Sequence, residues 1–151
     1  MSGAGPSLRE RAIRLLAQRE HSRSELTRKL NAHGSADEIE ATLARLGELG
    51  LQSDERFARA WVRTKAARFG LARIRHELAR RGLEREVIEE AIALEACESE
   101  MDRARAVWAG KFGNTPQDRS EWAKQARFLQ SRGFSAGTIT RLLKESPDES
   151  A

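Results

Sequence analysis

The residues in this chain with chemistry to offer are mostly cations. Between Ser53 and Gly82 stand Arg56, Arg59, Arg63, Lys65, Arg68, Arg73, Arg75, Arg80 and Arg81, opposed only by Asp54, Glu55 and Glu77. The stretch that follows reverses the sign, setting Glu84, Glu86, Glu89, Glu90, Glu95, Glu98, Glu100 and Asp102 against Arg85 alone. An ordinary helix surface interleaves its charges for i,i+4 pairing. Segregated charge points to a contact: a nucleic-acid footprint, or a docking surface for a charged protein. A solvated helix face is the plain alternative.

Catalytic constellations are missing. His21, His33 and His76 are scattered, and His76-Glu77-Leu78-Ala79-Arg80 lacks the second histidine of a zinc-protease helix. One cysteine, Cys97, cannot build a structural zinc cluster. Its acidic surroundings disfavour a reactive thiolate, and a small core residue is expected there. Gly110-Lys111-Phe112 has neither the glycine spacing nor the Ser/Thr of a phosphate-binding loop. Trp61, Trp108 and Trp122 could stack on unpaired bases, but their helical spacing with other apolar residues favours core packing. No enzyme, metal or cofactor is expected.

The elements that must position the cations are helices. Ser7 with Glu10, Ser22 with Glu25, and Ser35 with Glu38 have the S-x-x-E spacing of a capping box. Ser99 with Asp102 and Thr115 with Asp118 are shorter-armed versions, and Pro116 suits a first helical position. Ser53 or Asp54 starts a long central helix, and Ser135 the last one. Glycines 34, 50, 70, 82, 113 and 133 stand where helices should stop. The predicted helices cover residues 8–20, 23–33, 36–48, 54–69, 71–81, 84–97, 100–112, 116–131 and 136–145, with no alternating strand in competition.

These helices repeat. Ala12, Ala58 and Ala104 lie 46 residues apart; four positions on come Leu16, Val62 and Trp108, and three further the bases Arg19, Lys65 and Lys111. In the second helices, Leu26/Leu30 and Ile74/Leu78 precede Gly34 and Gly82 at equal distances, and Leu129 and Gly133 continue the pattern, with Gln125 breaking its first apolar position. The fold class expected is all-α: three tandem three-helix, helix-turn-helix-like repeats in an elongated array that can curve. The division expected is a disordered lead over 1–7, repeats over 8–50, 51–97 and 98–146, and a disordered tail over 147–151.

At about 100° per residue, Phe57, Ala58, Trp61, Val62 and Phe69 gather on one face of the central helix. Arg56, Arg59 and Arg63 form a stripe opposite. In the next helix Arg73, His76 and Arg80 lie opposite Leu71, Ile74 and Leu78. Those two stripes are the candidate contact surface, for protein or DNA phosphate. Lys65 falls within the apolar face, and a base recurs there in each unit. Arg19, Lys65 and Lys111 are therefore expected to be structural, snorkelling, capping a carbonyl or pairing with a carboxylate. The acidic third helix of the middle unit is expected to neutralise part of the charge beside it.

The bulk composition agrees with slender modules. Apolar residues make up 39% and charged residues 33% of 151, which suits helices with much surface, and the net charge of +4 favours an acidic partner. No apolar run approaches the roughly 18–20 residues of a membrane span, and MSGAGPS lacks the order of a signal peptide. A soluble, cytoplasmic monomer is expected.

The central stretch also resembles the signature of the RecX family of recombinase regulators. The likeness runs through Asp54-Glu55-Arg56-Phe57-Ala58, Val62, Lys65, Gly70, Ile74, Glu77-Leu78, Gly82-Leu83 and Val87-Ile88-Glu89-Glu90. The approach Ile39-x-x-x-Leu43-x-x-Leu46-Gly47-x-Leu49-Gly50-Leu51 is similar to the family's as well. Lys65 stands where the family commonly has arginine, and the third unit matches in pattern more than in residues. The resemblance implies three repeats of a three-helix motif without catalytic activity. It also implies binding to RecA and to the RecA–single-stranded-DNA filament, in the filament groove. That binding would block filament extension or promote disassembly, suppressing strand exchange, ATP hydrolysis and LexA self-cleavage. Weak direct DNA binding is compatible with it. An autonomous helix-turn-helix-like DNA-binding protein remains the alternative on charge, though no recognition helix with base-reading residues is identifiable. A generic helical scaffold is the third reading.

Overall fold

Serine caps decide where this chain turns helical. In the computed structural model, which describes residues 5–96 and 98–144, Ser7, Ser22, Ser35, Ser53 and Ser99 each accept the amide three residues on. At Ser22 and Ser35 the glutamate completes the reciprocal capping box. The described residues form α1 (Leu8–Gln18), α2 (Arg23–Leu30), α3 (Ala36–Glu48), α4 (Asp54–Lys65), α5 (Leu71–Arg80), α6 (Arg85–Glu95), α7 (Glu100–Lys111), α8 (Arg119–Ser131) and α9 (Ala136–Lys144), with a 3₁₀ turn at Asn31–His33. The fold is all-α. None of these helices is long and apolar enough to cross a membrane. Residues 1–4, Cys97 with its expected core role, and residues 145–151 lie outside the described residues.

Several expected helices are shorter in the structure, among them the first (Leu8–Gln18), the second (Arg23–Leu30) and the sixth (Arg85–Glu95), and two show the physical reason. The central one stops at Lys65 rather than running to residue 69. There the Arg68 and Phe69 amides both turn back to the Lys65 carbonyl, and Phe69 comes under the Arg73 and Arg132 guanidiniums, 4.1 and 5.2 Å from its ring centre. The eighth helix starts at Arg119, not Pro116, because Asp118 rather than Thr115 is the cap: its carboxylate accepts the Glu121 amide. Glu121 in turn accepts the Gln117 amide. Asp-x-x-Glu outcompetes the threonine.

Each helix triplet closes over its own core. Ala12, Leu26, Leu30, Ile39, Leu43 and Leu46 fill the first. Phe57, Val62, Ile74, Leu78, Ile88 and Ile92 dominate the second, and Leu129, Phe134, Ile139, Leu142 and Leu143 the third. Ala12, Ala58 and Ala104, the residues in 46-residue register, are all fully buried. Gln125 is buried too, and its interruption of the apolar pattern has a reason: its carbonyl accepts the Trp108 indole N–H at 2.8 Å and its amide donates to Asn114. A buried indole N–H usually finds such a partner.

One joint occurs twice between units. Ser22 Oγ donates to the Arg81 carbonyl at 3.1 Å, and the Gly70 amide donates to the Arg132 carbonyl at 2.7 Å. Ser22 and Gly70 are the caps of α2 and α5, the second helices of their units. Arg81 and Arg132 end the second helix of the following unit, each just before a glycine with positive φ, Gly82 at 84° and Gly133 at 92°. A Cβ on Gly82 would overlap Ser24, and one on Gly133 would overlap Arg73. Left-handed backbone and close approach both require glycine here. Around the first joint, Asp54 accepts the Arg23 amide at 2.8 Å, and buried Gln52 donates to Asp54 and to the His21 carbonyl.

Candidate functional site

The candidate cations start on two helices whose apolar faces are fixed by the second core, so their direction is set before any pairing. α4 buries Phe57, Ala58 and Val62 and therefore turns Arg56, Arg59 and Arg63 outward. α5 buries Ile74 and Leu78, which leaves His76 and Arg80 exposed.

The outward stripe of α4 is not free. Glu95, at the end of α6, accepts from Arg63 Nη2 at 2.8 Å and from Arg59 Nε at 3.1 Å. Hydrogen bonding from Arg63, then from Arg59, outweighs partial burial and holds the Glu95 carboxyl below its ordinary range. Arg75 and Glu89 make a second, two-pronged bridge from α5 to α6, at 2.7 and 3.0 Å, and it lowers Glu89 likewise. The acidic third helix does sit beside the basic run and neutralises part of it. Arg59 and Arg63 nevertheless keep 47% and 63% of their side-chain surface in water.

Arg56 and Arg73 are committed to the fold. Arg56 bridges to Glu20 at 2.8 Å and donates to the Gly50 and Leu51 carbonyls, clasping the first unit to α4. Arg73 is half-buried at the second joint, bonded to Glu77 at 3.1 Å and to the Ser131 carbonyl, and stacked on Phe69. The structure thus splits the stripe of α5. Arg80 and His76 face solvent, and Arg73 faces the third unit.

The three repeat-equivalent bases have divided roles. Arg19 donates to Glu25 and to the Glu20 carbonyl. Lys65 lies 4.9 Å from the Trp61 ring centre and 6.0 Å from that of Phe69, and Lys111 lies 5.6 Å from Phe128. Ring faces, which carry negative quadrupole charge, supply what a carboxylate supplies to Arg19. Trp61 and Trp108 are half-buried beside their cores. Trp122 is not a core residue: in the first turn of α8 it extends past the third core into solvent.

Arg81, Arg103 and His21, outside the predicted stripes, are also engaged in the fold. Arg81 lies 4.0 Å from the Trp61 ring centre and lines the same groove as Arg19. The Arg-Gly pairs 81–82 and 132–133 stand in equivalent positions, and that coincidence was the available signal. Arg103 is buried, with Nη1 on the Glu98 carbonyl at 2.7 Å and no partner among the described residues for Nε and Nη2. A lone arginine in a sequence gives no sign of that. Buried His21 has a readable tautomer: Nδ1 donates to the Arg19 carbonyl, and Nε2 accepts from Lys29, each at 3.0 Å. Burial, with Arg19 and Lys29 near, lowers its pKa from 6.5.

Comparison with known proteins gives a consistent result along the chain. Residues 9–46 match the first three-helix domain of RecX, residues 53–92 the second and residues 98–143 the third. The Regulatory protein RecX of Leptothrix cholodnii is 44% identical over 145 residues, covering 95% of this chain and 91% of that protein. The Regulatory protein RecX of Pseudomonas entomophila is 48% identical over 143 residues, covering 91% and 90%. Among solved structures, RecX from Lactobacillus salivarius superposes with a TM-score of 0.75 at 22% identity, over 91% of this chain and 92% of that one.

Proposed function

This chain belongs to the RecX family, and on that premise we propose that it is a non-catalytic regulator that binds RecA and RecA–single-stranded-DNA filaments. Binding blocks filament extension or promotes disassembly, and so lowers recombinase, ATPase and co-protease activity. The observation that carries the reading is the ordered run of three RecX domains, with relatives called regulatory proteins at 44 and 48% identity over nearly their whole length.

The physical design supports it. Three small cores linked by the same joint give a chain of modules, and several modest contacts along a filament add up through effective concentration. Arg59, Arg63 and Arg80 offer charge, and His76 a hydrogen-bonding ring, to an acidic protein surface or to DNA phosphates. The acidic α6 beside them limits indiscriminate DNA binding. The protein acts as a cytoplasmic monomer. Direct binding to RecA without DNA, at physiological salt, tests the reading. Saturable binding is expected. Binding only when DNA is present, with a salt slope of about −0.7 per phosphate neutralised on single strands, would instead favour an autonomous DNA-binding protein.

A further inference from the structure

The seam between the first two units opens as a groove of about 290 Å³, lined by Arg19, Glu20, Glu25, Phe57, Trp61 and Lys65 and by Arg81. Its charges do not cancel. Arg19 neutralises Glu25 at 3.1 Å, and Arg56, from outside the groove, neutralises Glu20 at 2.8 Å. Lys65 and Arg81 are left with no carboxylate among the described residues, and both lie on the Trp61 ring, at 4.9 and 4.0 Å from its centre. Trp61 Nε1 is buried with no hydrogen-bond partner among the described residues. The groove therefore holds two cations that have ring faces but no carboxylate, beside the apolar surface of Phe57 and Ala60.

Resting on the regulator reading, we propose that this groove is the docking site for an acidic segment of the partner protein, with carboxylates on Lys65 and Arg81 and an apolar side chain against Phe57. Charge complementarity selects the carboxylates. Nucleic acid is disfavoured because a base would need an open ring face to stack on, and Arg81 lies against that of Trp61 while Phe57 sits 5.8 Å away. Arg81 is held ready: its carbonyl is tied to Ser22, and its Nη1 donates to the Glu77 carbonyl. Such preorganisation reduces the ordering cost of binding.

The test follows the tryptophan indole N–H resonances of the full ¹⁵N-labelled chain. The probes are a short capped peptide of aspartates and glutamates around one leucine, its asparagine/glutamine counterpart, and oligothymidylate. The acidic peptide is expected to shift the Trp61 resonance and leave Trp108, already bonded to Gln125, in place. Lys65→Met/Arg81→Gln, which keeps the carbonyl that Ser22 needs, is expected to weaken peptide binding by roughly tenfold or more with the helical signal intact. No Trp61 shift, an equal shift from the uncharged peptide, a shift surviving the double substitution, or a shift with oligothymidylate alone would overturn the proposal. The RecA-binding assay on the unsubstituted chain is independent of these outcomes. If that chain binds RecA while the peptide fails, the groove assignment falls and the regulator reading stands. Failure to bind RecA defeats the regulator reading itself.

Discussion

Ser22 Oγ lies 3.1 Å from the carbonyl oxygen of Arg81, across the seam between the first and second units. The same hydroxyl caps α2 by accepting the Glu25 amide. One side chain thus starts a helix and joins two modules. Ser22→Ala removes both interactions and strands a carbonyl; Ser35→Ala, at the other capping box, removes only a cap. Ser35→Ala should cost about 1 kcal/mol, and Ser22→Ala at least about 1 kcal/mol more. Denaturant unfolding of the two variants checks the difference.

Glycine substitutions should divide by backbone and space. Gly47 and Gly110 lie inside α3 and α7 with nothing within 4 Å of an added Cβ. Alanine at either should stabilise by about 0.5–1 kcal/mol. Gly82→Ala and Gly133→Ala meet both a positive φ and an occupied space, so each should destabilise by about 2 kcal/mol or more. Thermal melts of the four variants read the two directions. Amide exchange should show the loss at Gly82 beginning at the first joint.

Acid should weaken the protein in two stages. The folded-state pKa of His21 is lowered, so the stability it contributes is present above 6.5 and lost as pH falls through the folded value. Protonation would put a proton on Nε2, facing the Lys29 ammonium that it now accepts from. Glu95 and Glu89 are also lowered, and their contribution is present above 4.5 and lost below it. His21→Gln should flatten the upper stage of the stability profile and leave the lower stage unchanged. Urea midpoints across the pH range would show it.

Glu95→Gln should release Arg59 and Arg63 for a partner. The pair is exposed on its arginine side, so the gain in RecA affinity is modest, roughly threefold. Binding measured at two salt concentrations checks it, since the released cations should also steepen the salt dependence.

Much of the fold was legible in the sequence because its signals are local. A serine cap and the glutamate three residues on occupy one helical turn, and the 46-residue register of Ala12, Ala58 and Ala104 marks equivalent buried positions. At the eighth helix the Thr115–Asp118 spacing pointed to the wrong cap, because Asp118 is itself the cap. The candidate surface was legible only as direction. Helical angle turned Arg56, Arg59, Arg63 and Arg73 away from the core. Their partners Glu20, Glu95 and Ser131 are distant in sequence, and no periodicity reports such pairs. The seam groove was illegible for the same reason. It forms where Arg19, Glu20 and Glu25 of the first unit meet Phe57, Trp61, Lys65 and Arg81 of the second.

The most direct test of regulation is RecA's single-stranded-DNA-dependent ATPase as this protein is titrated in. Inhibition is expected well below the amount that would coat the DNA. It should be lost in Arg59→Glu/Arg63→Glu variants whose helicity is intact. Inhibition that begins only once the DNA is saturated would contradict the account and show a protein competing for nucleic acid.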